Sequence, residues 1–253
     1  MTVTSLRRTA LISALCLLAF SAGTPAAETS HPLPAAGSTP ADTAQCVDAR
    51  TLDLRRILPP PPAAGSPEER AELDVLLRIE AHRTPRQTDR ARRDAKLNIL
   101  GFADALGARP GALTTAGLPL TLALFRHVSA DEFAIVDAAK SEFGRPRPFT
   151  VEPRLHPVVA PPQSPSYPSG HSTWAYTTAL VLGDMVPERR RQLLVRAGEY
   201  AYDRNVAGVH YPSDVEAGKL AGTALATLLL TCQPFESEEA AARVELRSAL
   251  GLH

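Results

Sequence analysis

Where apolar residues recur along this chain they do so at helical spacing, and no stretch alternates apolar with polar in the manner of a strand. Ser66-Pro67-Glu68-Glu69 reads as a helix start, with Ser66 as N-cap, Pro67 at the first position and Glu69 at the third. The helix it opens carries Leu73, Leu76, Leu77 and Glu80 on related faces. A second helix is expected from about Thr88 to Leu106, ending near Gly107, with a break from Gly111 to Leu118. Leu118 to His127 suits a buried helix. Ser129 and Glu132 form a capping box for a further helix through Phe133, Val136, Ala139 and Phe143, stopped at Gly144. Phe149 to Tyr167 is proline-rich loop. His171 to Met185 is helical, with Ala175, Thr178, Ala179 and Leu182 at helical spacing. Pro187 opens the next helix, whose Leu193, Leu194, Ala197 and Ala201 share a face and which ends close to Arg204. Ser213 and Glu216 read as a capping box for a helix through Leu220, Ala224, Leu225 and Leu228. An amphipathic helix with Val244 and Leu246 follows Glu236. The expected class is all-α, a single-domain helical bundle over 51–253.

The first residues follow a different rule. Arg7 and Arg8 precede an apolar run from Leu11 to Phe20, and small residues follow from Ser21 to Ala27. That is the layout of a signal peptide over 1–27, with a core too short to span a bilayer comfortably. Residues 28–50 read as an extended arm rich in Pro, Ala, Ser and Thr. Pro59 to Pro62 must be extended. Loss of the leader leaves two cysteines, Cys46 and Cys232, and an even pair in an exported chain reads as one disulfide. The expected location is periplasmic or secreted, with no stable membrane insertion after cleavage. Lysine plus arginine equals aspartate plus glutamate at 27 each, which argues against bulk nucleic-acid binding. An exposed apolar helix face leaves room for a homo-oligomer.

The chemistry gathers in three short stretches. Lys140 is followed after six residues by Arg147-Pro148. Pro168-Ser169-Gly170-His171 stands at a helix start, and Arg204 is followed by His210 and then Asp214. A phosphate monoester needs fixed donors around its oxygens. Arginine offers a planar fork and lysine a point charge, here Arg147, Arg204 and Lys140. The backbone N–H groups of Ser169 and Gly170, with a helix dipole behind them, suit an anion. No metal-ligand pattern such as HExxH occurs. Phosphoryl transfer without a metal then calls for a protein nucleophile. His210 suits that part, with Asp214 oriented to its other nitrogen. His171 remains as the general acid. Taken singly, each of these residues is ordinary: a structural histidine, a surface arginine, a turn. The ordered set is the signal.

The triple arrangement Lys140-x6-Arg147-Pro148, Pro168-Ser169-Gly170-His171 and Arg204-x5-His210-x3-Asp214 resembles the signature of the type 2 phosphatidic acid phosphatase superfamily. It is most similar to the bacterial class A non-specific acid phosphatases. Leu58 to Pro62, Tyr167 to His171 and Ser213 to Gly218 share the resemblance. It implies an all-helical domain, export to the periplasm and a covalent phosphohistidine intermediate, with no cofactor. It also implies phosphate contacts from Lys140, Arg147, Ser169, Gly170 and Arg204, with His171 as acid, His210 as nucleophile and Asp214 as its orienting partner. The expected partners are small phosphate monoesters, hydrolysed or transferred to an alcohol. Two other readings remain: a vanadium-dependent haloperoxidase-like enzyme, or a non-catalytic helical module that binds phosphate. One position departs from the resemblance. Asp203 stands where a serine usually precedes the arginine, free either to pair with Arg204 or to point to solvent.

Overall fold

The structure is a computed structural model that describes residues 46–252; the expected leader and most of the expected arm lie outside the described residues. Among the described residues every regular element is helical. In order these are α1 (Leu54–Ile57), α2 (Pro67–His82), α3 (Pro85–Arg93), a 3-10 turn (Ile99–Phe102), α4 (Pro119–Phe143) and α5 (Pro148–Val151). They continue with α6 (Gly170–Met185), a 3-10 turn (Pro187–Arg189), α7 (Arg190–Val206), α8 (Pro212–Leu229) and α9 (Gln233–Leu250). The all-α expectation holds.

Local rules place most of the starts and stops. Ser66 Oγ accepts from Glu69 N at 3.1 Å, as the S-x-x-E pattern requires. α4 ends where Gly144 adopts φ 56°, a left-handed conformation that glycine enters without steric cost. Other expectations need correction. The expected Thr88–Leu106 helix is split. A capping box between Thr84 and Gln87 starts α3 at Pro85, and the helix stops at Arg93. Beyond it the chain turns across the site described below. The expected break before Ser129 is absent: α4 runs through, and Ser129 Oγ donates back to Phe125 O at 2.9 Å instead of capping. α8 starts at Pro212, earlier than a Ser213 cap would allow. Asp214, not Glu216, reaches back to the cap, accepting from Tyr211 N at 2.9 Å.

α6 is the central element. It is buried along nearly its whole length and packs against α4, α7, α8 and α9. Ala175, Ala179 and Leu182 of α6, Leu193 and Ala197 of α7, Leu225 of α8 and Leu246 of α9 meet in the main core. The buried face of α8 is not the expected one. Leu220 is half exposed, and Ala217, Gly218, Ala221 and Gly222 face inward. Small residues there let α8 approach α6 until Thr177 Oγ1 donates to Gly222 O at 3.1 Å. Cys46 and Cys232 form the expected disulfide, joining residues 186 apart in the chain. No single described helix is long and apolar enough to cross a membrane.

Candidate active site

Three chain segments converge at the N-terminus of α6. Ser169 N donates to Asp214 O at 3.0 Å, which binds the start of α6 to the start of α8. Ser169 Oγ caps α6, accepting from Ser172 N at 3.3 Å and from Ser172 Oγ at 3.0 Å. The Ser169 amide is thus engaged with protein. The first-turn amides of Gly170 and His171 are those the intrahelical ladder does not reach.

His210 lies in the turn between α7 and α8 and is almost wholly buried. Its Nδ1 is 3.2 Å from Asp214 Oδ2, and its Nε2 is 2.8 Å from Arg147 Nη1. A guanidinium can only donate. The Nε2 of the neutral ring therefore carries the lone pair, and the proton sits on Nδ1, directed at Asp214. Asp214 is saturated around this task. Oδ2 also accepts from Tyr211 N at 2.9 Å and from Ser166 Oγ, and Oδ1 accepts from Arg145 Nη1 at 2.7 Å. Arg145 is itself held by Glu72 Oε2 at 2.8 Å and lies over the Tyr211 ring. Arg145, Ser166 and Glu72 escaped the sequence reading. Only the Arg145-Pro-Arg147 doublet hinted at a second structural arginine.

The cations sit in the same buried region. Arg147 donates to Ser164 O and Val209 O, each at 2.8 Å. Lys140 Nζ donates to Pro165 O at 2.5 Å. Burial and then repulsion from Arg147 lower the Lys140 ammonium to about 7, against attraction from Asp214 and Glu132. Burial and then Arg204 lower the Arg147 guanidinium. Arg204 is 1% exposed, and its Nε and Nη1 meet no acceptor among the described residues. Three desolvated cations, with Arg147 repelled by Arg204 and Lys140 by Arg147, and one with two N–H groups unanswered among the described residues, make a surrounding that an anion would relieve.

His171 stands on the first turn of α6, with Nε2 3.0 Å from Ala95 O. A carbonyl only accepts, so Nε2 carries a proton. Asp203 follows neither expected course. It is completely buried, and Arg90 Nε and Nη2 grip its two oxygens at 2.7 and 3.0 Å. Among the described residues no group of three or more His, Cys, Asp or Glu side chains is placed to hold a metal ion.

A family model described as the PAP2 superfamily matches residues 117–238, a span that contains all three motifs. A non-specific acid phosphatase of Providencia stuartii is 31% identical over 193 residues, 72% of this chain and 76% of that protein. The chain belongs to the PAP2 superfamily. A non-specific acid phosphatase of Salmonella typhimurium is 28% identical over 225 residues, 85% of this chain and 89% of that protein. The fold is shared further. A bacterial vanadium-dependent iodoperoxidase superposes with a TM-score of 0.55 at 22% identity, covering 69% of this chain and 52% of its own.

Proposed function

We propose that this PAP2 chain is an exported acid phosphatase that hydrolyses phosphate monoesters through a phosphohistidine at His210, with His171 as general acid. The coarser statement, that it is an acid phosphatase, follows from its family. The observation that carries the finer reading is the polarity of His210: Nδ1–H donates to Asp214, so the Nε2 lone pair faces the cations.

The substrate's phosphoryl oxygens take the unanswered donors of Arg204, the first-turn amides of α6, Lys140 and Arg147, the last drawn off Nε2. Nε2 then forms a bond to phosphorus as the ester P–O bond breaks, and His171, entering as the imidazolium, gives its Nδ1 proton to the departing oxygen and is left neutral. Asp214 stabilises the imidazolium that results. In the second half a water, or an alcohol in phosphotransfer, attacks phosphorus while His171 takes its proton. The P–N bond breaks and its electron pair returns to Nε2. Cations that are already desolvated and fixed need no reorganisation as charge shifts. The basic n-region, apolar core and small-residue stretch over 1–27 support export.

The test is a panel of phosphoesters across about pH 4–8, with chelator present, on the wild-type chain and His210→Ala. The expected result is chelator-resistant phosphate release that falls at least ~10³-fold in the variant. Equal turnover by the two proteins would overturn the nucleophile. Peroxide-dependent bromide oxidation supported by vanadate, without phosphate release, would replace the reading with a haloperoxidase.

A further inference from the structure

Asp203 takes no part in the steps above, yet it is a fully buried carboxylate next to a proposed phosphate ligand. It lies on the last turn of α7, adjacent to Arg204, and both its oxygens are held by Arg90 of α3. A second fork runs in the opposite sense. Arg196 of α7 grips Asp94, just past the end of α3, with Nη1 and Nη2 at 2.9 and 2.7 Å. Arg196 Nε also donates to Gly101 O at 2.9 Å, and Tyr200 Oη donates to Lys96 O at 2.6 Å. Burial raises the Asp203 carboxyl, Arg90 opposes this, and Asp94 adds a further upward push, so the two carboxylates lie close together.

The consequence lies between these ties. Asp94 and Lys96 are both clamped to α7, and the residue between them, Ala95, offers its carbonyl to His171 Nε2. A carbonyl held on either side does not follow the imidazole; the imidazole follows it. We propose that the Arg90–Asp203 pair is a positioning device for His171, fixing the 94–96 turn against the α7 turn that carries Arg204 and so setting where the acid stands relative to the bound phosphoryl group. The inference rests on the reading of His171 as general acid. The fork spans 113 residues of sequence, and no local pattern announces it.

The test uses the full chain with p-nitrophenyl phosphate and compares Asp203→Ser, Arg90→Gln and the double variant. Arg90→Gln strands the buried Asp203 carboxylate, Asp203→Ser leaves the partly exposed Arg90 without its partner, and each lowers stability. The double change removes both charges and should restore much of the thermal midpoint. If the pair positions the acid, kcat per folded molecule stays about tenfold or more below wild type in the double variant. KM and the inhibition constant for inorganic phosphate change by less than about threefold. Exchange of the His171 Nε2 proton, followed by NMR, also quickens. Recovery of kcat alongside stability in the double variant would reduce the pair to a structural role and overturn the proposal. Should either single variant fail to fold, the double variant still decides. Should the wild-type chain hydrolyse no phosphoester, the acid phosphatase reading itself fails. Unchanged proton exchange at His171 would then separately overturn the positioning claim.

Discussion

Lys140 is visible in the sequence as the first member of a spaced triplet, but its charge is set by surroundings the sequence does not display. Burial, with Arg147 nearby, brings its ammonium down to about 7. Lys140 is therefore cationic below that pH and loses its charge as pH rises through it. Sulfate, whose own charge is constant over the range, should inhibit more weakly above about pH 7. Lys140→Met should abolish that step and weaken sulfate binding below it by ~10-fold or more; inhibition constants at several pH values check both. Glu132 shifts in the opposite sense. Its carboxyl is buried, Oε1 has no partner among the described residues, and burial raises it to about 8 against the pull of Lys140. The folded state thus keeps a proton that the unfolded chain gives up near its ordinary value of 4.5. Stability contributed by that proton is present at low pH and falls as pH rises from the unfolded value towards about 8. Glu132→Gln, which cannot ionise, should gain on wild type across that window by up to ~1.4 kcal/mol per pH unit. Denaturant melts at both ends of the window measure it. An equal gap at both ends would contradict the assignment.

At the scale of elements, the contact between α6 and α8 joins the helix that carries His171 to the turn that carries His210. A Cβ on Gly218 would stand 2.6 Å from Ser169 O and from Ser172 Cβ, and one on Gly222 would run into Thr173 O. Gly222→Ala should therefore cost ~1–3 kcal/mol by overpacking. It should also lower kcat, because the helices can separate only by straining the Ser169 N to Asp214 O bond. Urea unfolding and steady-state kinetics on one preparation read the two effects together. The small residues of α8 were legible as letters but not as a face. Leu220 and Leu228 drew the helical stripe to the wrong side, because hydrophobicity outweighs smallness in periodicity while close helix approach needs the reverse. The split at Arg93 was hidden for a related reason. The 94–98 segment is held by Arg196, Tyr200 and His171, all distant in sequence, against a local composition that favours continued helix.

Across the whole molecule, the Cys46–Cys232 bond closes nearly all of the described chain into one loop, tying the segment before α1 to the start of α9. A loop of that length stabilises by roughly 3–5 kcal/mol in the chain-entropy model, chiefly by limiting the unfolded state. Replacing both cysteines by serine should lower the denaturant midpoint accordingly, and reductant should destabilise the wild-type chain but not the double variant. Parity of cysteines, read with the expected leader, was enough to foresee this bond. The motif spacing likewise pointed to the neighbours the fold brings together: Arg147 on His210, His210 on Asp214, and Lys140 and Arg204 close to Arg147.

The division follows the range of the forces involved. Helix class, the Ser66 cap, the Gly144 stop and the four-residue spacing of His210 and Asp214 are written within a turn or two of chain, where backbone geometry alone constrains the outcome. Which nitrogen of His210 bears the proton, what Arg145 holds, and where Asp203 finds its charge are decided by residues 63, 69 and 113 positions away. Burial makes those distant partners obligatory, since a desolvated charge must be answered by whatever the fold brings beside it. Arg204, with two donors unanswered among the described residues, is where the proposed phosphate would complete the set.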